Sequence, residues 1–313
     1  MAAVELHPQC KALLQRGVGQ PTLMDIGVYE SRIRTHGELD ISGPVDPSVN
    51  IRHIYFTGPT ADLPLRIYQP EGVGPFNGMV YFHGGGWVTM DASKYDAPLS
   101  AMARLTNSVV VSVNYQKAPE HKFPIPFDDC FATWNWTLAN VGKLNIDPSK
   151  LGIGGSSAGA NLAAAVALKI RDLGEDKLAY QWLVYPITDN DFDTPSYLQN
   201  AENFGLTRAA MKALVGLYLS RVEDFMNPYA FPAKAKNFHG VAPAIILTAG
   251  YDPLHDDGER YAKALHSDGV YVSYLDLPDM IHGFFTCGKY IDQGIDIRRY
   301  FADEILKVLR ESI

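Results

Sequence analysis

Short runs of β-branched and aromatic residues recur along the chain, separated by longer stretches whose apolar positions follow a helical spacing. The strand-like runs are Gly78 to Phe82, Ser108 to Tyr115, Lys150 to Gly154, Tyr180 to Tyr185, Ala244 to Ala249 and Val270 to Leu277. Helical patterns fill the intervals: Tyr95 to Thr106, Phe127 to Val141, Ala158 to Arg171, Asp256 to Asp268 and, last, Ile295 to Glu311. Strands alternating with helices predict βαβ units, and so an α/β fold with a mostly parallel sheet covered on both faces. Ile51 to Thr57 and Leu65 to Gln69 come earlier, with no helix between them, and read as antiparallel edge strands.

Two regions break the alternation. Residues 1 to about 45 read as helices and loops ahead of the first strand. From about Thr188 to Gly240 a helical pattern, Thr207 to Ser220, lies between Asp-, Asn- and Pro-rich segments. An insertion of that length is more than a connection needs, and such excursions usually serve as lids or binding loops. The expected organisation is a single domain over residues 1–313, with a helical cap contributed by about 1–45 and about 188–240.

Composition narrows the partners. A chain of 313 residues, 47% apolar, can bury a substantial core. Its formal charge of −8, with no Lys/Arg cluster to track a phosphate backbone, argues against nucleic acid. No apolar run approaches the length of a membrane span. The segment Met1-Ala2-Ala3-Val4-Glu5-Leu6-His7 lacks the basic-then-apolar layout of a secretion signal. Cys10, Cys130 and Cys287 are widely spaced and form no C-x-x-C pair, which makes a disulfide framework or zinc knuckle unexpected. The expectation is a cytoplasmic protein with reduced thiols; a homodimer is left open.

Chemistry concentrates at Gly155-Ser156-Ser157-Ala158-Gly159, between an apolar run and an Ala-rich helical stretch. That is the strand–turn–helix setting of a G-x-S-x-G nucleophile elbow. The turn is tight, so side chains two positions either side of the serine would clash, and glycine at both leaves the Ser157 hydroxyl exposed at the strand tip. A serine nucleophile needs a base, an orienting acid and an oxyanion hole.

Four histidines follow it: His239, His255, His266 and His282. His282 comes a short loop after the strand Val270 to Leu277, which would bring its ring to the same sheet edge as Ser157. His255 and His266 fall in a helical pattern, where a solvated histidine is the default. Asp252 follows the strand Ala244 to Ala249 and stands between serine and histidine in the chain order of this triad. Asp256 and Asp257 read instead as first-turn acids of the next helix, and Asp279 as a loop-shaping residue.

His83-Gly84-Gly85-Gly86-Trp87, directly after the strand Gly78 to Phe82, supplies the oxyanion hole. Backbone N–H groups can turn toward a ligand where no Cβ obstructs them. Gly84, Gly85 and the Ala158 N–H are the expected donors, with Gly86 shaping the loop and His83 assigned to loop structure. Trp87 reads as a pocket wall. The aromatics of the insertion (Phe192, Tyr197, Phe204, Tyr218, Phe225, Tyr229 and Phe231) suggest an apolar acyl pocket, with Phe204 and Tyr218 its candidate lining. The alternative is that they pack the cap on itself.

These motifs together resemble the hormone-sensitive lipase family of α/β-hydrolases. So does the run Asn114-Tyr115-Gln116-Lys117-Ala118-Pro119-Glu120-His121-Lys122-Phe123-Pro124, and Tyr185-Pro186 and Asn227-Pro228-Tyr229 fit too. The matches run in order from about residue 50 to the C-terminus. The resemblance implies hydrolysis of carboxylic esters through an acyl-enzyme, with no cofactor and no metal; the apolar pocket suggested by the cap aromatics would suit a short or medium acyl chain. Three positions depart from the pattern: Ser156 stands where Asp is common, Ala160 where a further Gly is frequent, and the first 45 residues align with no motif. The same triad serves lactonases, amidases and acyltransferases, and a non-catalytic receptor on this scaffold would keep the pocket but lose the histidine.

Overall fold

The computed structural model of the chain describes residues 4–18, 20, 22–37, 39–174 and 178–311. Residues 1–3, 19, 21 and 38 of the expected N-terminal cap lie outside that set. Two helices come first, α1 (Pro8–Gly17) and α2 (Leu23–Gly37), the second kinked at Gly27. The strands are β1 (Val49–Thr57), β2 (Asp62–Pro70), β3 (Phe76–Phe82), β4 (Ser108–Val113), β5 (Ile146–Ser156), β6 (Gln181–Val184), β7 (Ala244–Tyr251) and β8 (Val272–Ile281). Between and after them run α3 (Asp96–Thr106), α4 (Ile125–Ala139), α5 (Val141–Leu144), α6 (Ala158–Asp172), α7 (Pro195–Gln199), α8 (Arg208–Tyr218), α9 (His255–Ser267) and α10 (Gln293–Glu311).

All the strands join one sheet in the order β1-β2-β4-β3-β5-β6-β7-β8. The β1–β2 and β2–β4 pairs are antiparallel and the remaining pairs are parallel. Only β1 of the two antiparallel strands is an edge, because β2 pairs on both sides. Central strands are buried along their length, as in Ser108–Val113, which is why they read as continuous apolar runs and not as alternation. On one face α6 lies against β5 and β6, and its buried alanines let the helix and sheet backbones approach closely. On the other, α10 buries Ile297, Phe301, Ile305 and Val308, a stripe at helical spacing, and packs on α3.

The strands differ from the sequence expectation mainly at their ends. Strand β5 begins at Ile146, ahead of the polar Asp147-Pro148-Ser149-Lys150 stretch that hides it from a hydrophobicity reading. Strand β8 runs on to Ile281, past the expected end at Leu277 and through Pro278 and Asp279. Its partner β7 absorbs the mismatch with an irregularity between Ala249 and Tyr251. His282 therefore follows its strand directly, not across a loop. No helix among the described residues is long and apolar enough to cross a membrane.

Candidate active site

Ser157 is positioned by β5 and α6. Ser157 sits between them with φ 56° and ψ −123°, a conformation a non-glycine residue holds only under constraint. The Ser157 N–H donates to the Val184 carbonyl at 2.9 Å, which fixes the turn to the tip of β6. Both glycines of the pentapeptide are required by contact: a Cβ on Gly155 would lie 2.2 Å from the Gly159 carbonyl oxygen, and one on Gly159 only 2.0 Å from that of Phe82. The same close approach seats α6 against the loop after β3.

Register brings the other two groups together. Tyr251 pairs with Ile281 across β7 and β8, so Asp252 and His282 leave neighbouring strand ends side by side. His282 Nδ1 lies 2.6 Å from Asp252 Oδ2, and His282 Nε2 lies 3.0 Å from Ser157 Oγ. Asp252 is fully buried, and its other oxygen accepts the Leu254 N–H at 2.9 Å. The Tyr185 ring packs on the imidazole at a centroid distance of 4.5 Å, and Asn200 Nδ2 donates to the Asp252 and Gly250 carbonyls. Ser157, Asp252 and His282 thus form one hydrogen-bonded line.

The rival acids go elsewhere. Asp256 accepts the Ser196 N–H, while Asp257 is buried and accepts the Thr188 and Asp189 N–H groups. Asp256 and Asp257 both lie in the first turn of α9, as expected, and Asp257 is in addition an internal anchor for the chain after β6. Burial pushes its pKa well up. His255 bridges Asp256 and Asp276 on the helix side. His83 is buried and stacked on Tyr115 at 4.2 Å, and burial with the Lys117 charge pushes its pKa down to about 3.

The glycine loop corrects the expected donor set. The Gly84 N–H is not turned toward the site: it donates to the Tyr95 hydroxyl at 2.9 Å. That hydroxyl also meets Ser156 Oγ at 2.8 Å, which gives this buried serine a partner inside the protein. Gly85 and Gly86, with φ 111° and 61°, line the cavity beside Ser157. Ala158 opens α6, so its N–H is among the first-turn donors that no helical carbonyl reaches.

The cavity over these residues is open and about 1580 Å³, larger than the roughly 300–1,000 Å³ typical of a closed ligand pocket. Its walls are largely aliphatic: Leu206, Met211 and Leu214 from the insertion, and Leu23, Met24 and Ile26 from the N-terminal region. The expected aromatic wall is not there. Trp87 and Tyr218 are fully buried and stack on each other at 4.2 Å, with the Trp87 ring N–H on Asn161. Phe204 packs on Tyr251 at 4.8 Å, Tyr229 stacks on Phe127, and Phe192 meets Tyr197 edge-on. These rings satisfy one another behind the wall, which is cheaper than exposing them to a wet cavity.

The sequence gives no functional reading to Tyr95 or Tyr185, nor to the aliphatic side chains of α2 and α8 that line the cavity. Tyr185 enters there only as the end of a strand and as part of a Tyr-Pro pair. An aromatic directly after a buried strand tip is the signal that could have marked it; in the fold its φ is 38°.

Comparison with known proteins agrees with this fold. The family described as alpha/beta hydrolase fold matches residues 79–286. The chain is 35% identical to carboxylesterase NlhH of Mycobacterium tuberculosis over 290 residues, covering 91% of this chain and 90% of that protein. It is also 35% identical over 284 residues to an arylesterase of Saccharolobus solfataricus, covering 89% and 92%. A hyperthermophilic esterase from the archaeon Pyrobaculum calidifontis superposes with a TM-score of 0.90 at 31% identity, over 97% of this chain and 99% of that one. A triad-like line at the strand ends, an eight-stranded sheet of this order and matches along nine-tenths of the sequence place the chain in the hormone-sensitive-lipase-like family of α/β-hydrolases.

Proposed function

We propose that Ser157 is the nucleophile, His282 the general base and Asp252 the orienting acid of this serine carboxylesterase. The single observation that carries these roles is the unbroken line from Ser157 Oγ through His282 to the buried Asp252. Ser157 attacks the ester carbonyl as His282 Nε2 takes its proton. Asp252 holds the Nδ1–H, fixes the tautomer and stabilises the imidazolium. The Gly85, Gly86 and Ala158 N–H groups receive the oxyanion, helped by the positive end of the α6 dipole. His282 then protonates the leaving alcohol and activates the water that clears the acyl-enzyme.

The substrate is a small ester. The aliphatic cavity wall supports acyl chains of short to medium length, with α1, α2 and the 188–240 segment acting as a cap within one domain. Helix α2 packs on α8, and both contribute cavity residues, which supports their acting as one cover.

A fluorophosphonate probe tests the assignment. It should form one adduct, mapped by mass spectrometry to Ser157, and abolish hydrolysis of p-nitrophenyl butyrate in proportion to labelling. Full activity in labelled protein, or an adduct on another residue, would overturn it.

A further inference from the structure

Arg32 lies on α2, far from the motifs, yet its guanidinium is committed to the glycine loop. Nε donates to the Val88 carbonyl at 2.8 Å and Nη2 to the Ala118 carbonyl at 2.8 Å. Nη1 and Nη2 make a two-point contact with the Glu120 carboxylate at 2.9 and 2.7 Å. The fork geometry suits such simultaneous contacts, and no other side chain supplies it.

What matters is where the Val88 carbonyl leads. It shares a rigid peptide plane with the Thr89 N–H, and that N–H donates to the Gly85 carbonyl at 2.9 Å. The Val88 N–H and the Thr89 hydroxyl reach the same oxygen at 3.1 and 3.0 Å. The Gly85 carbonyl in turn shares its plane with the Gly86 N–H. A guanidinium donor at one end therefore sets the tilt of two peptides linked by a hydrogen bond. It also polarises them, since linked hydrogen bonds strengthen one another. The Ala118 arm carries no such relay, because Pro119 follows and has no N–H; it only anchors.

We propose that Arg32 is a positioning residue for the oxyanion site: its guanidinium orients and polarises the Val88–Thr89 and Gly85–Gly86 peptides so that the Gly86 N–H is a stronger donor to the transition state. This rests on the donor assignment above. It couples the N-terminal helix to the chemistry through a charge, not only through packing. The Gly85 backbone, at φ 111° with a Cβ position 2.4 Å from the Thr89 carbonyl oxygen, fits no other residue.

The test uses full-length protein, p-nitrophenyl butyrate and phenylboronic acid, whose tetrahedral serine adduct puts an oxygen at the oxyanion position. Losing a whole oxyanion donor costs about 10²–10³ in kcat, so weakening one through Arg32→Gln is expected to cost on the order of 10-fold, with KM within about two-fold. Boronate affinity should fall by a similar factor, and Arg32→Lys, which keeps a cation and N–H donors but not the planar fork, should fall less. A raised KM with unchanged kcat, or a lowered kcat with unchanged boronate affinity, would overturn the relay. Should Arg32→Gln fail to fold, Arg32→Lys is read by the same two quantities. Ser157→Ala separates the two claims: if it stays active the nucleophile is wrong, whereas if it is inactive and Arg32→Gln behaves as wild type, the relay alone fails.

Discussion

The Tyr95 hydroxyl accepts the Gly84 N–H at 2.9 Å, and the same oxygen lies 2.8 Å from Ser156 Oγ. One buried phenol thus ties Ser156, the residue before the proposed nucleophile, to the first glycine of the loop proposed to hold the oxyanion. Tyr95→Phe takes the partner from both groups inside the protein, and a buried donor or acceptor left unpaired costs about 1–3 kcal/mol. The expected result is a lower melting temperature together with a several-fold fall in kcat on p-nitrophenyl butyrate. An unchanged melting temperature would show that the phenol does not hold the loop.

The Asp252–His282 contact predicts a larger effect. Asp252→Asn keeps the shape but can present an amide N–H to the imidazole, favouring the wrong tautomer, and in such triads this lowers kcat by about 10⁴. Steady-state kinetics on a short ester checks it. A loss below about 10-fold would mean that Asp252 does not orient the base.

Gly86 is constrained twice. Its φ of 61° disfavours any Cβ, and a Cβ there would lie 2.6 Å from Leu214 Cδ1 on α8. Gly86→Ala should therefore displace the loop and cost roughly the 10²–10³ in kcat expected for a lost oxyanion donor. Adding Leu214→Ala relieves the contact but not the backbone, so the double variant is expected to recover only part of the loss. Full recovery would show that sterics against α8, and not the backbone conformation, govern this position.

His255 makes a pH prediction for stability. Its Nε2 faces Asp276 and its Nδ1 faces Asp256, and those two acids, Asp276 foremost, raise its pKa from 6.5 to about 9. A histidine whose folded pKa lies above its unfolded one stabilises the fold fully below about pH 6.5, and that contribution fades as pH rises through about 9. The melting-temperature gap between wild type and His255→Gln should shrink across that window. A gap that stays constant would contradict the ion-paired reading.

The motifs were legible because their chemistry is local. Glycines around Ser157, the strand before Asp252 and the glycine run after β3 each announce a backbone conformation within a few residues. The α/β alternation was equally local, since each strand and helix carries its own periodicity. What stayed hidden depends on distant partners. That the Gly84 N–H is already engaged follows only from Tyr95 reaching back across the loop. That Trp87 and Tyr218 stack behind the wall follows from α8 folding over the glycine loop. Arg32 carries no motif at all; its meaning comes from carbonyls that the fold brings to it.

The central claim is that Ser157, with His282 at 3.0 Å, performs the attack. The most direct measurement is hydrolysis of p-nitrophenyl butyrate by Ser157→Ala, with melting curves to show that the fold is kept. The account predicts a fall in kcat on the order of 10⁶ in protein that melts as wild type does. A folded Ser157→Ala protein that keeps most of its activity would contradict it.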